Sequence, residues 1–151
     1  LYRIAENAVD SLSAAAGAAE VTVRLEGGEA AMTGIPQLLY SIVYNLCDNA
    51  IKYNHRGGSV QVTVWQSGGE AILKVEDTGI GIPQDSLDRI FERFYRVDKS
   101  RSKEVGGTGL GLSIVKHAVM IHGGKVEVRS EPGRGTAFLV TLPCRPGKAA
   151  R

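Results

Sequence analysis

Two pairs of alternating segments limit the folds open to this chain more than any other feature of its sequence. One pair is 59–66 (SVQVTVWQ) and 71–76 (AILKVE), around SGGE, and the other is 125–130 (KVEVRS) and 136–142 (TAFLVTL), around EPGRG. Apolar and polar residues that alternate on both sides of a glycine-containing turn predict a β-hairpin. Because alternation gives each strand one apolar face, the chain needs helices to cover that face.

Helical periodicity supplies this cover. Apolar residues at helical spacing predict helices over 2–18, 33–53 and 109–122, and two short strands are predicted at 21–25 and 30–32. We therefore predict an α/β (α+β) two-layer sandwich. A mixed, mostly antiparallel sheet of about five strands would have about three helices on one face.

Composition limits the function classes. The chain has 151 residues, 43% of them apolar, and a formal net charge of +2, so it suits one domain and bulk charge indicates no nucleic-acid partner. Its cysteines, Cys47 and Cys144, have no metal-type spacing, and we expect a reducing compartment. Because the chain begins with Leu1 rather than methionine, we expect a fragment of a longer protein.

A polar stripe runs along the predicted long helix. Asn45, Asn49 and Lys52 are spaced i, i+4 and i+7, so they share one edge of the helix beside its apolar face. Taken singly, each is typical of a solvated face. Taken together, amide oxygens suit Mg²⁺ and a lysine suits a phosphate, so the stripe fits a metal-bound polyphosphate.

Two glycine-rich segments accompany the stripe. VEDTGIGIP, ending at Pro83, places Asp77 at a strand end and lets the backbone at Gly79 and Gly81 approach a flat ligand. For D-x-G taken alone, an ordinary turn is the better explanation. GGTGLGL (106–112) leads into a helix, whose N-terminus favours anions. The second segment has neither the G-K-[ST] of a P-loop nor the preceding strand of a Rossmann fold.

The segment between the glycine boxes, 85–105, reads as a lid. A short helical piece is predicted around 87–95, where Phe91, Phe94 and Tyr95 would anchor a mobile flap. Its basic side chains are typical of a solvated loop, with one or two of them reaching phosphate on closure. These side chains are Arg93, Arg96, Lys99, Arg101 and Lys103.

The boxes N-x-x-x-N-A-x-K-Y, D-x-G-x-G-I-P, F-x-R-F-Y-R, G-G-T-G-L-G-L and G-R-G-T-x-F, in this order, resemble the catalytic ATP-binding domain of bacterial sensor histidine kinases. The resemblance covers roughly residues 20–143. It implies the Bergerat fold, shared with DNA gyrase, a heat-shock chaperone class and mismatch-repair ATPases, with ATP between helices and a lid.

The resemblance implies a base side and a phosphate side. On the base side, Tyr53 packs on adenine, Asp77 binds its amino group with Gly79 and Gly81 beside it, Ile82 is pocket wall, and Thr136 helps to hold a water. On the phosphate side, Asn49 and Asn45 are Mg²⁺ ligands and Lys52 contacts phosphate. The glycine box of Gly107, Thr108, Gly109, Leu110 and Gly111 hinges the lid, from which Arg96 and Arg101 reach phosphate.

The same resemblance implies a kinase rather than a hydrolase. Hydrolytic members usually carry a glutamate at the position of Asn45, and an amide is a poor general base. The implied acceptor is a histidine on another domain, since His55, His117 and His122 lack the H-[ED]-x-x-[NT] setting. Phosphoryl transfer then depends on positioning and charge neutralisation.

The resemblance also implies an organisation. We expect 1–19 to be an N-terminal helix or linker from the missing dimerisation domain, 20–143 the ATP-binding domain and 144–151 a flexible tail. Expected partners are the histidine-bearing dimerisation domain and a response regulator, with no nucleic acid. The fragment is expected to be a monomer and a cytoplasmic part of a parent anchored in the bacterial cell membrane.

Two alternatives remain open at this point. One is a serine kinase of the anti-sigma type from the same superfamily. The F-x-R-F-Y-R and GGTGLGLSIVK boxes favour the sensor histidine kinase over this alternative. The other is a degenerate nucleotide-binding module that regulates a partner without transfer, against which the completeness of the boxes weighs.

Overall fold

The computed structural model describes residues 1–95 and 110–145. Within these ranges, no helix has the combined length and apolar character that crossing a bilayer requires. The helices are α1 (Tyr2–Ser11), α2 (Ser13–Ala19), α3 (Pro36–Lys52) and α4 (Gly111–Ile121), with a short 3-10 turn at Gln84–Ser86. The strands are β1 (Thr22–Gly27), β2 (Ser59–Ser67), β3 (Glu70–Asp77), β4 (Lys125–Glu131) and β5 (Gly135–Pro143).

The strands form one sheet in the order β1-β2-β3-β5-β4. Both predicted hairpins, β2–β3 and β4–β5, are present, and β3 also pairs antiparallel with β5. Only the edge strand β1 pairs parallel, with β2. A parallel pair needs a crossover connection, and α3 lies within the segment that supplies it.

The core lies between the sheet and the helices. On β2, Val60, Val62 and Val64 are each at most 1% exposed, whereas the residues between them are partly exposed. Helix α3 presents a buried stripe against this face, formed by Leu39, Ile42, Val43, Leu46, Cys47, Ala50 and Ile51. The predicted two-layer sandwich with a mixed, mostly antiparallel sheet of five strands is confirmed.

Two elements in the first 32 residues differ from the prediction. The first helix is divided at Leu12, whose backbone (φ −98°, ψ 2°) leaves the helical region while its side chain is 3% exposed, so the described residues form four helices where three were expected. The predicted strand at 30–32 is absent from the described sheet. Instead the carbonyl of Ala30 accepts a hydrogen bond from the backbone nitrogen of Leu1, which joins this segment to the start of α1.

The predicted helix at 87–95 is also wrong. The backbone there forms successive turns whose N–H groups, such as that of Glu92, donate to the carbonyl three residues earlier. Such i−3 bonds close turns without building an α-helix. Phe91 and Tyr95 pack against the core, whereas Phe94 has φ +62° and is 67% exposed, so it does not anchor the segment.

Candidate functional site

Three polar residues form a row across neighbouring strands at one end of the sheet. Asp77 on β3 lies opposite Thr136 on β5, which lies opposite Ser130 on β4. The next row on the same face, two residues along each strand, includes the core residues Val75 and Phe138. Because side chains alternate between faces, the polar row shares the helix-facing side of the sheet and borders the core.

The backbone holds the carboxylate of Asp77 in place. Its Oδ1 accepts hydrogen bonds from the N–H of Gly79 at 2.8 Å and of Thr136 at 3.2 Å. Burial raises the pKa of Asp77, and these two N–H donors oppose the rise. Among the described residues Oδ2 has no hydrogen-bond partner, so the second oxygen is the one available to a ligand's donor.

Glycine is required on the loop that follows Asp77. A Cβ on Gly79 would lie 2.4 Å from the carbonyl oxygen of Tyr53, which also accepts the N–H of Ile80 at 3.0 Å. Gly81 has φ +76°, and a Cβ there would lie 2.1 Å from the carbonyl oxygen of Glu131. The loop is thus pressed between the end of α3 and the β4–β5 turn.

Ser130 ties this loop to the hairpin, and it is absent from the sequence-based site. Its hydroxyl accepts the N–H of Ile82 at 2.7 Å and lies 2.8 Å from the Thr136 hydroxyl. Its carbonyl accepts the Gln84 side-chain amide at 2.7 Å. Counting outward from the EPGRG turn pairs residue 130 with residue 136, so the sequence held a signal for this serine.

Asn54 is a second residue that sequence reasoning missed. It is 7% exposed, and its amide donates to the carbonyl of Ser59 at 3.0 Å, which joins the end of α3 to the start of β2. A Cβ on Gly58 would lie 2.1 Å from its Oδ1. The Thr78 hydroxyl accepts the N–H of Ser59 at 2.9 Å, so hydrogen bonds join the strand ends near Asp77.

The predicted polar stripe lies along the edge of α3. Asn45, Asn49 and Lys52 are all partly buried, between the core face and solvent. The amide nitrogen of Asn45 donates to the carbonyl of Ser41 at 2.7 Å. A Cβ on Gly111 would lie 3.2 Å from Asn45 Oδ1, so the start of α4 adjoins the first asparagine.

Lys52 has a partner on its own helix. Its Nζ lies 3.0 Å from Asp48 Oδ2, and the two side chains are 35% and 22% exposed. The i, i+4 spacing of an acid before a base is a recognisable helix pair, so this contact too was visible in the sequence. Any anion that approaches Lys52 competes with this carboxylate.

Described residues of both glycine boxes lie beside α3 or its C-terminal end. Gly111 adjoins Asn45, and Gly79 adjoins the carbonyl of Tyr53 eight residues later along the chain. At the rise of an α-helix, eight residues span about 12 Å. A polar side-chain row and two close backbone approaches therefore border a strip suited to one elongated polar ligand.

Part of the predicted site falls outside the described residues: Arg96, Arg101, Gly107, Thr108 and Gly109. Leu110 precedes α4 and its carbonyl accepts the Ser113 hydroxyl at 2.8 Å. Within 1–95 and 110–145, no group of three His, Cys, Asp or Glu side chains is placed to hold a metal.

His122 has a structural use. Its Nε2 accepts the N–H of Ile35 at 3.0 Å and its Nδ1 lies 2.7 Å from the carbonyl of Ala118. A carbonyl only accepts, so Nδ1 carries the proton and the ring is neutral. The ring joins the end of α4 to the start of α3, which sets the antiparallel packing of the two helices that border the site.

The sequence matches the family described as histidine kinase-, DNA gyrase B-, and HSP90-like ATPase over residues 34–146. It is 46% identical to the sensor-like histidine kinase SenX3 of Mycolicibacterium smegmatis over 109 residues, which are 72% of this chain and 28% of that protein. The curated relatives are longer, and the chain spans between 14% and 34% of their length.

Solved structures agree with the fold. The mycobacterial sensor histidine kinase MprB superposes with a TM-score of 0.81 at 31% identity, covering 96% of this chain and 95% of that chain. Full-length ShkA in complex with AMPPNP superposes with a TM-score of 0.80 at 28% identity, covering 99% of this chain and 31% of that chain. The described sandwich is therefore the architecture of histidine kinase catalytic domains.

Proposed function

The chain belongs to the histidine kinase-, DNA gyrase B-, and HSP90-like ATPase family, and on that premise we propose that it binds ATP with Mg²⁺ and donates the γ-phosphate to a histidine on a separate dimerisation domain. The observation that carries the proposal is that one edge of α3 meets both the Asp77 loop and the start of α4. Base and phosphates would lie at opposite ends of that edge.

The base end suits the amino group of adenine. Asp77 has one oxygen committed to backbone donors and one remaining, which favours a ligand that brings an N–H. Gly79 and Gly81 allow the backbone to approach a flat ring, and Ile82, partly buried against the core, would be an apolar wall. Tyr53, at the end of α3, would pack on the ring.

The phosphate end suits a magnesium-bound triphosphate. Asn49 and Asn45 would supply amide oxygens to the ion, which takes few protein ligands and keeps waters and phosphate oxygens as the others. Lys52 would exchange Asp48 for a phosphate oxygen. Arg96 or Arg101 of the lid would also contact phosphate. The glycine box from Gly107 to Gly111, with Thr108, Gly109 and Leu110, would offer backbone N–H groups at the start of α4.

Asn45 favours transfer over hydrolysis. Its amide nitrogen is committed to the Ser41 carbonyl, which orients Oδ1 as an acceptor, and an amide does not take a proton from water at neutral pH. The chain's own contribution would be to position the triphosphate and neutralise its charge, with Mg²⁺ supplying further neutralisation when bound.

The proposal extends to the longer protein of which this chain would be a part. Since the chain spans about a third or less of its curated relatives, the phosphoacceptor histidine, the response regulator and a membrane anchor would belong to other segments or proteins. Residues 20–143 would form the ATP-binding unit, with 1–19 as the helical lead from the dimerisation domain and 144–151 as a tail. Alone, the chain would be monomeric.

Two measurements on this chain test the proposal. Calorimetry with ATP, with and without Mg²⁺, is expected to show saturable binding that Mg²⁺ strengthens. Radiolabel from γ-labelled ATP should then reach a separately supplied histidine-bearing helical hairpin from a related sensor kinase, and not its histidine-to-alanine form. Binding without transfer would favour the regulatory module, and no binding by the folded chain would reject the nucleotide site.

A further inference from the structure

The N-cap residue of α3, Ile35, receives its hydrogen-bond partner from another helix. Its carbonyl accepts the N–H groups of Leu38 and Leu39, which are the first bonds of α3. The glutamate of a capping box would reach back to the N–H of the N-cap residue, but α3 carries Leu38 at that position, and leucine has no acceptor. The N–H of Ile35 donates instead to Nε2 of His122, at the end of α4, over 3.0 Å.

The ring of His122 is held from both sides. Its Nδ1 donates to the carbonyl of Ala118, one turn earlier on α4, at 2.7 Å. Its Nε2 faces the backbone that leads into α3, where a Cβ on Gly34 would lie 2.9 Å from it. A neutral imidazole has one donor and one acceptor, and His122 uses both. The ring therefore fixes the end of α4 against the start of α3 in one orientation.

A second contact lies at the other end of the same pair of helices. A Cβ on Gly111, the first residue of α4, would lie 3.2 Å from Oδ1 of Asn45. The two contacts are ten residues apart on α3 and eleven residues apart on α4, which is about 15 Å and about 17 Å at the rise of an α-helix. The helices are thus joined across nearly equal lengths, and the contact at His122 determines how far α4 extends along α3.

The relative height of the two helices matters at the phosphate end. In the proposed function, Asn45 on α3 would bind the ion and the start of α4 would offer backbone N–H groups to the triphosphate. A single triphosphate meets both only if the two helices keep this height to within a fraction of an ångström. The bond between His122 and Ile35 sets the height from the far end of the pair.

We propose that His122 is a positioning residue for the phosphate end, because its bond to the N–H of Ile35 holds the start of α4 level with Asn45. This inference rests on the proposed function, since it concerns the triphosphate end of the same site. A bond that holds the free chain in the binding arrangement lowers the cost of ordering that arrangement when the ligand binds. Without the bond, the affinity for a triphosphate should fall by up to the contribution of one hydrogen bond.

The test compares ATP with adenosine, which has the same base and no phosphate, with Mg²⁺ present. Calorimetry measures the affinity for ATP, and displacement of ATP measures that for the weaker adenosine. His122→Asn is expected to lower ATP affinity by about tenfold and to leave adenosine affinity unchanged, because the shorter amide keeps the bond to Ala118 and loses the bond to Ile35. His122→Gln, whose longer side chain brings an amide oxygen to the N–H of Ile35, should keep both wild-type affinities.

Two further variants separate positioning from a loss of stability. His117→Ala, at an exposed histidine of the same helix, is the matched control and should change neither affinity. His122→Phe keeps a ring without an acceptor and should weaken ATP as His122→Asn does, so it replaces that variant if His122→Asn does not fold. Equal weakening of ATP and adenosine, or a His122→Gln variant that loses as much ATP affinity as His122→Asn, would overturn the inference.

These outcomes are distinct from a failure of the proposed function. A folded wild-type chain that binds neither ATP nor adenosine rejects the nucleotide site itself. A wild type that binds both, with ATP affinity unchanged in His122→Asn and in His122→Phe, rejects only the role of His122.

Discussion

The two ends of the α3 edge are built in different ways. At the base end, backbone N–H groups of Gly79, Ile82 and Thr136 donate to Asp77 and Ser130, so strand register and turn geometry place these donors. At the phosphate end, the described polar groups are side chains of one helix, and Lys52 is paired with Asp48. The base end is positioned by the fold, whereas the described part of the phosphate end is positioned by helix periodicity.

This difference has a consequence for how each end responds to change. Backbone donors cannot be exchanged by a single substitution, but a side chain added at a close approach displaces them together. Helix side chains are exchanged singly, and each contributes a modest amount in partly exposed surroundings. A side chain added at a close approach of the base end should therefore affect the fold strongly, and exchanges of helix side chains at the phosphate end should affect affinity or ion dependence alone.

Gly81→Ala is expected to have the largest effect. The residue has φ +76° and its new Cβ would meet the Glu131 carbonyl at 2.1 Å. The free energy of unfolding should fall by about 2–4 kcal/mol from strain and overlap together, as measured by denaturant titration. Gly133→Ala is the matched control, because Gly133 has φ +82° with open space around its Cβ, and it should lose only about 1–2 kcal/mol. Equal losses in the two variants would contradict the close packing of the loop.

Asp77→Asn is expected to weaken ATP binding by about a hundredfold, as leaving a buried donor opposed by another donor costs about 3 kcal/mol. The Asn oxygen would keep the two backbone N–H bonds, which places its NH₂ where Oδ2 stood, facing the amino group of the base. Calorimetry measures the affinity, and Glu76→Gln, at the exposed neighbouring carboxylate, is the control. If the variant bound ATP as tightly as wild type, Asp77 would not be the residue that binds the base.

The same variant should separate affinity from stability. Burial raises the pKa of Asp77 above its ordinary value of 3.8, so the ionised carboxylate costs stability at neutral pH. As the pH falls through the raised pKa of Asp77 towards 3.8, the carboxyl becomes protonated and the wild type regains that stability. The wild type loses ATP affinity over the same pH range, because the protonated carboxyl is no longer an anionic acceptor. Asp77→Asn should be no less stable than wild type at neutral pH and should lack both changes. A variant that unfolds more easily at pH 7 would contradict this sign.

Asn49→Ala is expected to lower ATP affinity about tenfold in Mg²⁺ and to leave it unchanged without Mg²⁺, because only an ion-mediated contact is removed. Paired calorimetric titrations with and without the ion measure this difference. Asn7→Ala, at an exposed asparagine of α1, is the control. If Asn49→Ala kept the full Mg²⁺ sensitivity of wild type, the amide would not be an ion ligand.

Asp48→Asn is expected to have the smallest effect. The substitution removes the carboxylate that lies 3.0 Å from Lys52 Nζ, so phosphate no longer competes with Asp48 for the lysine. An i, i+4 helix pair at a partly exposed position is worth about 0.3–0.5 kcal/mol, so affinity for ATP should rise about twofold, and less at high salt. Glu20→Gln, which breaks the exposed pair with Arg56, should change nothing. A fall in affinity would indicate that Asp48 positions Lys52 instead of competing for it.

Much of the fold could be predicted because its signals are local. The hairpins, α3 and α4 follow from alternation, periodicity and turn glycines, and they were placed to within a few residues. The failures are equally physical. The segment 30–32 has apolar residues but its carbonyl at Ala30 is taken by Leu1, and 87–95 has helical spacing but only i−3 backbone bonds.

The sequence by itself determined the sandwich, the family and the ordered set of candidate residues, because periodicity and motif order are properties of neighbouring positions along the chain. Only the tertiary structure decided that Asp77, Thr136 and Ser130 form one row, and that Asn45 and Tyr53 adjoin different glycine boxes on one helix edge. The reason is that hydrogen bonds between residues 59 positions apart, such as that from Thr136 to Asp77, depend on strand register and on which elements pack together. Those bonds in turn decide which atoms remain for a ligand.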